Sequence, residues 1–192
     1  MHKYALVVAI AIALCASLVS EAGAKVIKGT ITGAVSASNI TPGACGPVTD
    51  ANGTDSYGTM CPAADAASCE CLSVSTLKIS GGFGKGTASL TATADESATV
   101  ETGGVTGTCA PAFGVLTLSI TAKGKISAST QTINALGAIC GTAAVTPVTI
   151  LGGFTIVGSS SNPQASGSGT FNGTVSTTGQ VSITLTGLIT NP

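Results

Sequence analysis

The chain reads as an all-β protein, and three features of the sequence lead there. Apolar and hydroxyl-bearing residues alternate with period two: Leu116, Leu118 and Ile120 are set against Thr117, Ser119 and Thr121, and Val181, Ile183 and Leu185 against Ser182, Thr184 and Thr186. Such alternation gives a ribbon one buried and one wetted face, and Val, Ile and Thr suit a pleated, half-buried surface. Beyond residue 24 no stretch carries apolar residues at the helical spacing of about 3.6. Glycine and small polar pairs recur at short intervals, as turns between strands require.

Nine strands are predicted in chain order, at 26–36, 71–80, 86–94, 97–101, 113–122, 124–134, 148–158, 168–177 and 180–189. Within 71–80 the phase slips, because Leu72 and Val74 are followed by Leu77 and Ile79; a bulge at Ser75 or Thr76 restores all four to one face. The 113–122 and 124–134 strands meet at Ala122-Lys123-Gly124-Lys125, and the last two at Thr177-Thr178-Gly179-Gln180, both read as tight hairpins. In 168–177, Phe171 and Val175 share a face with Gly173. Gly81-Gly82-Phe83 precedes Gly84-Lys85-Gly86-Thr87, and Gly152-Gly153-Phe154 precedes Gly167-Ser168-Gly169-Thr170. The echo is read as coincidence in a Gly/Thr-rich chain, with strands entering tight barrel corners as the competing reading. Residues 37–70 form the one long irregular segment, with Pro42, Pro47, Pro62 and three cysteines. Crosslinking is expected to hold it against a barrel or a sandwich.

Residues 1–24 have the pattern of a secretory signal peptide. His2 and Lys3 open it, Ala5–Val19 is apolar, and Ala22-Gly23-Ala24 supplies small residues at a cleavage site, so the mature chain is expected to start at Lys25. The apolar run of fifteen residues is shorter than the roughly 20 that span a bilayer. After cleavage no membrane span is expected, and the location is extracellular or periplasmic. Six cysteines remain: Cys45, Cys61, Cys69, Cys71, Cys109 and Cys140. An even number in an exported chain points to disulfides. Cys69 and Cys71 are too close to pair with each other, so the expected bridges are Cys109–Cys140 and two that join Cys45 and Cys61 to Cys69 and Cys71 in either order. The cysteine spacings fit no zinc ribbon or finger, and neither metal nor other cofactor is expected.

Charge is sparse. Beyond residue 24 the lysines are Lys25, Lys28, Lys78, Lys85, Lys123 and Lys125, the acids Asp50, Asp55, Asp65, Glu70, Asp95, Glu96 and Glu101, and there is no arginine or tryptophan. No basic stripe or aromatic platform is offered to nucleic acid. The one histidine is His2, inside the leader, so a serine or cysteine nucleophile has no imidazole partner. The lysines sit beside glycine turns, where they stay solvated and protonated. Tyr57 is read as loop packing, and Phe83, Phe113, Phe154 and Phe171 as core. Asp50-Ala51-Asn52-Gly53-Thr54-Asp55 has the alternating oxygens of a calcium loop, but its glycine stands fourth and Cys61 occupies the twelfth place, so a polar turn is the better reading. Asn39-Ile40-Thr41, Asn52-Gly53-Thr54 and Asn172-Gly173-Thr174 match the glycosylation sequon.

Residues 103–189 carry an ordered set of pieces: Gly104-Val105-Thr106-Gly107-Thr108-Cys109-Ala110-Pro111 before the strand Gly114–Thr121, Cys140 after the next strand, Gly152–Gly158, Ala165–Phe171, and a closing hairpin ending Leu185-Thr186-Gly187. The stretch resembles small secreted proteins of the allene oxide cyclase-like or dirigent-like group. That resemblance implies a closed barrel of eight or nine strands. Where the group carries Gly-Thr-Gly-x-Phe, this chain has Gly158–Gln164, without the aromatic or basic residue of that segment. The group's catalysis uses acids lining the barrel, for which Asp95, Glu96 and Glu101 are the candidates here.

The expectation is therefore a leader at 1–24 and one disulfide-linked antiparallel barrel over 25–192, with a β-sandwich as the alternative. Its expected role is a noncatalytic surface, matrix or binding protein. The alternatives are a barrel that binds or converts a small apolar ligand, and a subunit of a surface fibre or adhesin. An interior filled with side chains would exclude the first alternative; a hollow one lined by an acid would favour it.

Overall fold

The computed structural model describes residues 24–42, 48, 68–102, 108–121, 129–141, 147–159 and 166–190. They form β1 (Lys25–Ala34), β2 (Ile40–Pro42), β3 (Cys69–Gly81), β4 (Lys85–Asp95), β5 (Cys109–Thr121), β6 (Ser129–Cys140), β7 (Val148–Ser159), β8 (Ser166–Val175) and β9 (Gln180–Thr190). The sheet order is β1-β9-β8-β7-β6-β5-β4-β3-β2, antiparallel throughout, and β1 pairs a second time with β3. That second pairing runs from Gly29 opposite Gly81 to Thr32 opposite Lys78. It closes β1 and β3–β9 into an eight-stranded barrel, so the sandwich alternative falls. Closure leaves only short stretches of strand edge unpaired, where β1 meets β3. A 3-10 turn lies at Ala37–Asn39, and among the described residues no helix is long and apolar enough to cross a membrane.

β1 and β2 share one edge of β3 in succession. β1 covers Lys78–Gly81, and β2 covers Glu70–Leu72. Between them Asn39 replaces the missing ladder. Its Nδ2 donates to the Ser73 carbonyl at 3.0 Å, while Oδ1 accepts from the Ser36 amide at 2.9 Å and the Ser36 hydroxyl at 2.9 Å. The sequon at Asn39 is thus committed to structure. The bulge expected at Ser75 or Thr76 is present as a register shift between Val74 and Leu77 against β4, and it brings Val74, Leu77 and Ile79 to the inner face.

Two strand expectations are corrected. Residues 97–101 form no strand: the Asp95 carboxylate accepts from the Ser97 amide at 2.9 Å and the Ser97 hydroxyl at 2.6 Å, turning the chain, and only Val100 bridges to Cys109. The irregular segment is also shorter than 37–70, because β2 and the first two residues of β3 lie within it. The turn at 122–125 lies outside the described residues. The last hairpin is as expected: Gly179 takes φ +78°, a region that a side chain strains, and its carbonyl accepts from the Val35 amide at 2.7 Å, tying the β8–β9 turn to the end of β1. Of the two glycine echoes, Gly81–Gly84 is the β3–β4 turn and Gly152-Gly153-Phe154 is mid-strand, whereas both Gly-x-Gly-Thr pieces open strands.

The inner face carries Ile27, Ile31, Leu77, Ile79, Leu116, Leu118, Ile120, Ile133, Phe154, Ile156, Phe171, Ile183, Leu185 and Ile189 as one cluster. Glycines make room for its aromatic rings. A Cβ at Gly152 would stand 2.7 Å from Cζ of Phe171, and one at Gly169 would stand 2.8 Å from Cε1 of Phe154, so each ring lies over bare backbone of a neighbouring strand. All four phenylalanines are buried as expected, but Phe113 is buried from the other side: alternation with Gly114, Leu116 and Leu118 puts it on the outer face, opposite Leu136. Elsewhere the outer face of β1, β8 and β9 is a sheath of Thr30, Thr32, Thr170, Asn172, Thr174, Ser182, Thr184 and Thr186. Hydroxyls, not charges, solvate the wall.

The barrel has two unlike rims. One holds the start of β1, the β3–β4 turn, the end of β5, the start of β6 and the end of β9. The other holds the starts of β3, β5, β7 and β9 and the ends of β4, β6 and β8. Lys25, Lys28, Lys78 and Lys85 lie toward the first, the lysine rim; Cys69, Cys71, Cys109 and Cys140 lie at the second, the cysteine rim.

Candidate functional site: the barrel interior at the cysteine rim

Packing inside the barrel is uneven. Toward the lysine rim the bore is filled by Phe83, Ile27, Ile79, Ile120, Phe154, Ile156 and Ile189, all buried. Toward the cysteine rim the inward positions are smaller: Ala92 and Ala94 on β4, Val148 and Ile150 on β7, Val175 on β8, Val181 on β9. With no aromatic ring among them, they leave a cavity of about 140 Å³. A second void of about 80 Å³ lies deeper, bounded by Ile31, Leu116, Ile133, Phe171 and Leu185. The two share Leu72, Leu90, Ala92, Ile139, Ile150 and Ile183 as wall, so they are successive chambers of one apolar bore.

One ionisable side chain belongs to this wall. Glu70 sits on β3 in phase with the inward Leu72 and Val74, pairs with Ala94 of β4, and lines the outer chamber. It is partly exposed, so its carboxyl stands where the bore meets solvent. Burial raises its pKa above the usual 4.5, and the nearby Glu96 carboxylate raises it further. Among the described residues, no lysine lies at this rim to offset it.

None of the three candidate acids lines the barrel. Asp95 faces outward on β4, opposite Cys69, and its carboxylate is held by Ser97. Glu96 and Glu101 are exposed in the β4–β5 connection. Glu70 was passed over because the strand was expected to begin at Cys71. Carrying the Leu72–Val74 alternation back by two residues would have put Glu70 on the inner face.

The expected Cys109–Cys140 disulfide is formed, with sulfurs 2.07 Å apart. It joins directly opposite residues of β5 and β6 on the outer face. Val100, Ala138 and Leu151 pack around it, and the Thr102 hydroxyl stands 3.2 Å from the Cys109 sulfur. Cys69 and Cys71 are disulfide-bonded as well. Cys45, Cys61, Tyr57, the Asp50–Asp55 loop, the 1–23 part of the leader and the Asn52 sequon lie outside the described residues. Around Cys69 the outer face is closed over, Cys69 and Thr93 being 1% exposed. The cysteine rim is therefore pinned on the outside and hollow on the inside. No protein-family model, no curated protein and no solved structure matches the chain.

Proposed function

We propose that this protein is an exported, noncatalytic barrel that binds a small, mostly apolar molecule in the bore, with the one polar group of the ligand at Glu70. The cavity carries the reading. A void of about 140 Å³ is comparable to the ~150 Å³ apolar cavity that stays dry and accepts benzene. It is well below the ~300–1,000 Å³ of a drug-sized pocket. The fitting ligand is a single ring or a short branched chain. Burying six or seven carbons at ~0.8 kcal/mol each gives ~5–6 kcal/mol, a dissociation constant of order 100 μM.

The noncatalytic part rests on the inventory. General acid–base chemistry needs a second positioned group to pass the proton on. Glu70 has no histidine, lysine or tyrosine beside it among the described residues of the wall. Retention rather than turnover fits a lone carboxyl in an apolar throat. The disulfides are compatible with an oxidising compartment, which supports export. The ligand-carrier role is also what the resemblance to allene oxide cyclase-like and dirigent-like barrels implies.

Calorimetric titration with cyclohexanol, benzyl alcohol and benzylamine tests the proposal. Binding of one molecule per chain in the ~100 μM range, lost when Ala92 is enlarged, is the expected result. No heat and no change in the spectra of Leu72, Ile150 or Ile183 at millimolar ligand would refute it.

A further inference from the structure

The charges of the barrel are sorted by end. Lys25 and Lys28 lie on the first half of β1, Lys78 on the last part of β3 and Lys85 at the start of β4, so all four described lysines belong to one half of the barrel. All four are exposed. Glu70, at the second residue of β3, Asp95, at the end of β4, and Glu96 and Glu101, just after it, belong to the other. No acid among the described residues lies with the lysines.

Within one molecule these charges cannot satisfy each other. Lys85 and Asp95 bound the same eleven-residue strand, roughly 33 Å apart along it. Lys78 and Glu70 are separated by roughly 25 Å of β3. Both distances are several times the screening length of ~8 Å at physiological ionic strength. The barrel is thus a neutral-walled cylinder with a positive and a negative end.

We infer that the lysine rim of one copy docks on the acidic cysteine rim of a second copy, forming head-to-tail chains. A lipid or polyanion would explain the lysines and leave the opposite pole unused. Only another copy of this chain uses both ends, with nearly equal and opposite charge. Beside the lysines, Val26 and Leu188 face each other across β1 and β9 on the outer surface, 71% and 51% exposed, and supply apolar contact. A contact between unlike patches does not close on itself, so it propagates as a filament. The threonine sheath remains the lateral surface of that filament.

Sedimentation velocity on the purified protein at ~20 mM and ~500 mM salt tests this, since the screening length falls severalfold between the two. The expected result is concentration-dependent growth at low salt and a monomer at high salt. Lys28→Glu/Lys78→Glu cancels the described charge of the lysine rim and leaves the acidic rim intact, and Glu96→Lys/Glu101→Lys cancels that of the acidic rim and leaves the lysine rim intact. Each should stay monomeric alone, and an equimolar mixture should assemble. All four positions are exposed, and unchanged melting curves will show that folding is intact. A wild-type monomer at low salt overturns the inference. So does assembly that ignores the charge reversals, or a mixture that fails to associate. Binding to vesicles containing phosphatidylglycerol without self-association would assign the lysine rim to a lipid surface and equally overturn it.

Discussion

Replacing Ala92 by leucine asks whether the bore is empty. Ala92 faces inward on β4, opposite Leu72 and Gly114, and lines both chambers. Leucine adds three carbons, each close to the ~30 Å³ share of a water molecule, which the outer chamber of about 140 Å³ can take. Burying them yields ~2.4 kcal/mol at ~0.8 per carbon, and ordering the longer side chain costs ~0.5–1 kcal/mol. The net expectation is a gain of ~1.5 kcal/mol. An independent route gives a similar value: void lost at ~24 cal/mol per Å³ over ~80 Å³ is ~2 kcal/mol. Urea unfolding followed by circular dichroism measures it, and with a slope of ~2 kcal/mol/M the midpoint rises by ~0.7 M. Ala88 is the control, on the same strand and inner face, 2% exposed and outside both chambers. Ala88→Leu should be overpacked and lose ~1–3 kcal/mol. Equal destabilisation of both variants would show a filled bore and remove the basis for a ligand.

Four further outcomes follow from the same geometry. Because the Glu70 pKa is raised above 4.5 in the folded chain, folding binds a proton. Its contribution to stability is full below the unfolded value and is lost as pH rises through the folded one. Glu70→Gln should flatten that decline in urea midpoints collected from acid to neutral pH; an unaltered profile would refute it. Cys109→Ser with Cys140→Ser opens a link of sequence separation 31 and should cost ~3–4 kcal/mol by the loop-entropy relation, read from the urea midpoint. Asn39→Ala removes the bonds to Ser36 and Ser73 and should cost ~1–2 kcal/mol, with early exchange of amides in β2. Gly152→Ala drives a methyl against Phe171 and the β6 backbone and should cost ~1–3 kcal/mol in thermal melts.

Local features were legible in the sequence and long-range ones were not. The period-two pattern located the strands because each has one wet and one dry face. The β3 bulge was readable because a phase slip in the apolar residues can be repaired in only one place. β2 was missed because three residues ending in Pro42 carry no period. The 97–101 strand was overread because Ser97, Thr99 and Val100 have strand propensity, while Asp95 captures the Ser97 amide and turns the chain first. Closure rests on β1 meeting β3 between Gly29–Thr32 and Lys78–Gly81, a contact about fifty residues apart that alternation cannot report. Glu70 was lost to an error of two residues in where β3 begins, which is within the ordinary uncertainty of strand ends.

The sorting of charge was written in the sequence in a form that only topology decodes. In an up-and-down barrel successive connections alternate between rims. The β3–β4, β5–β6 and β7–β8 connections fall on one side, and β4–β5, β6–β7 and β8–β9 on the other. A lysine near one turn and an acid near the next are neighbours in sequence and opposites in space. Thus Lys85 opens β4 and Asp95 closes it. A net charge of −1 therefore describes the chain poorly, because it sums two poles that the barrel wall keeps apart. The same separation leaves Glu70 at the throat with no cation beside it among the described residues. A ligand's polar group, or the lysine rim of a second copy, can supply what the fold withholds. Under the two proposals both occupants would use one rim, so a saturating small ligand that altered the low-salt assembly would show that the bore and the docking face are a single site.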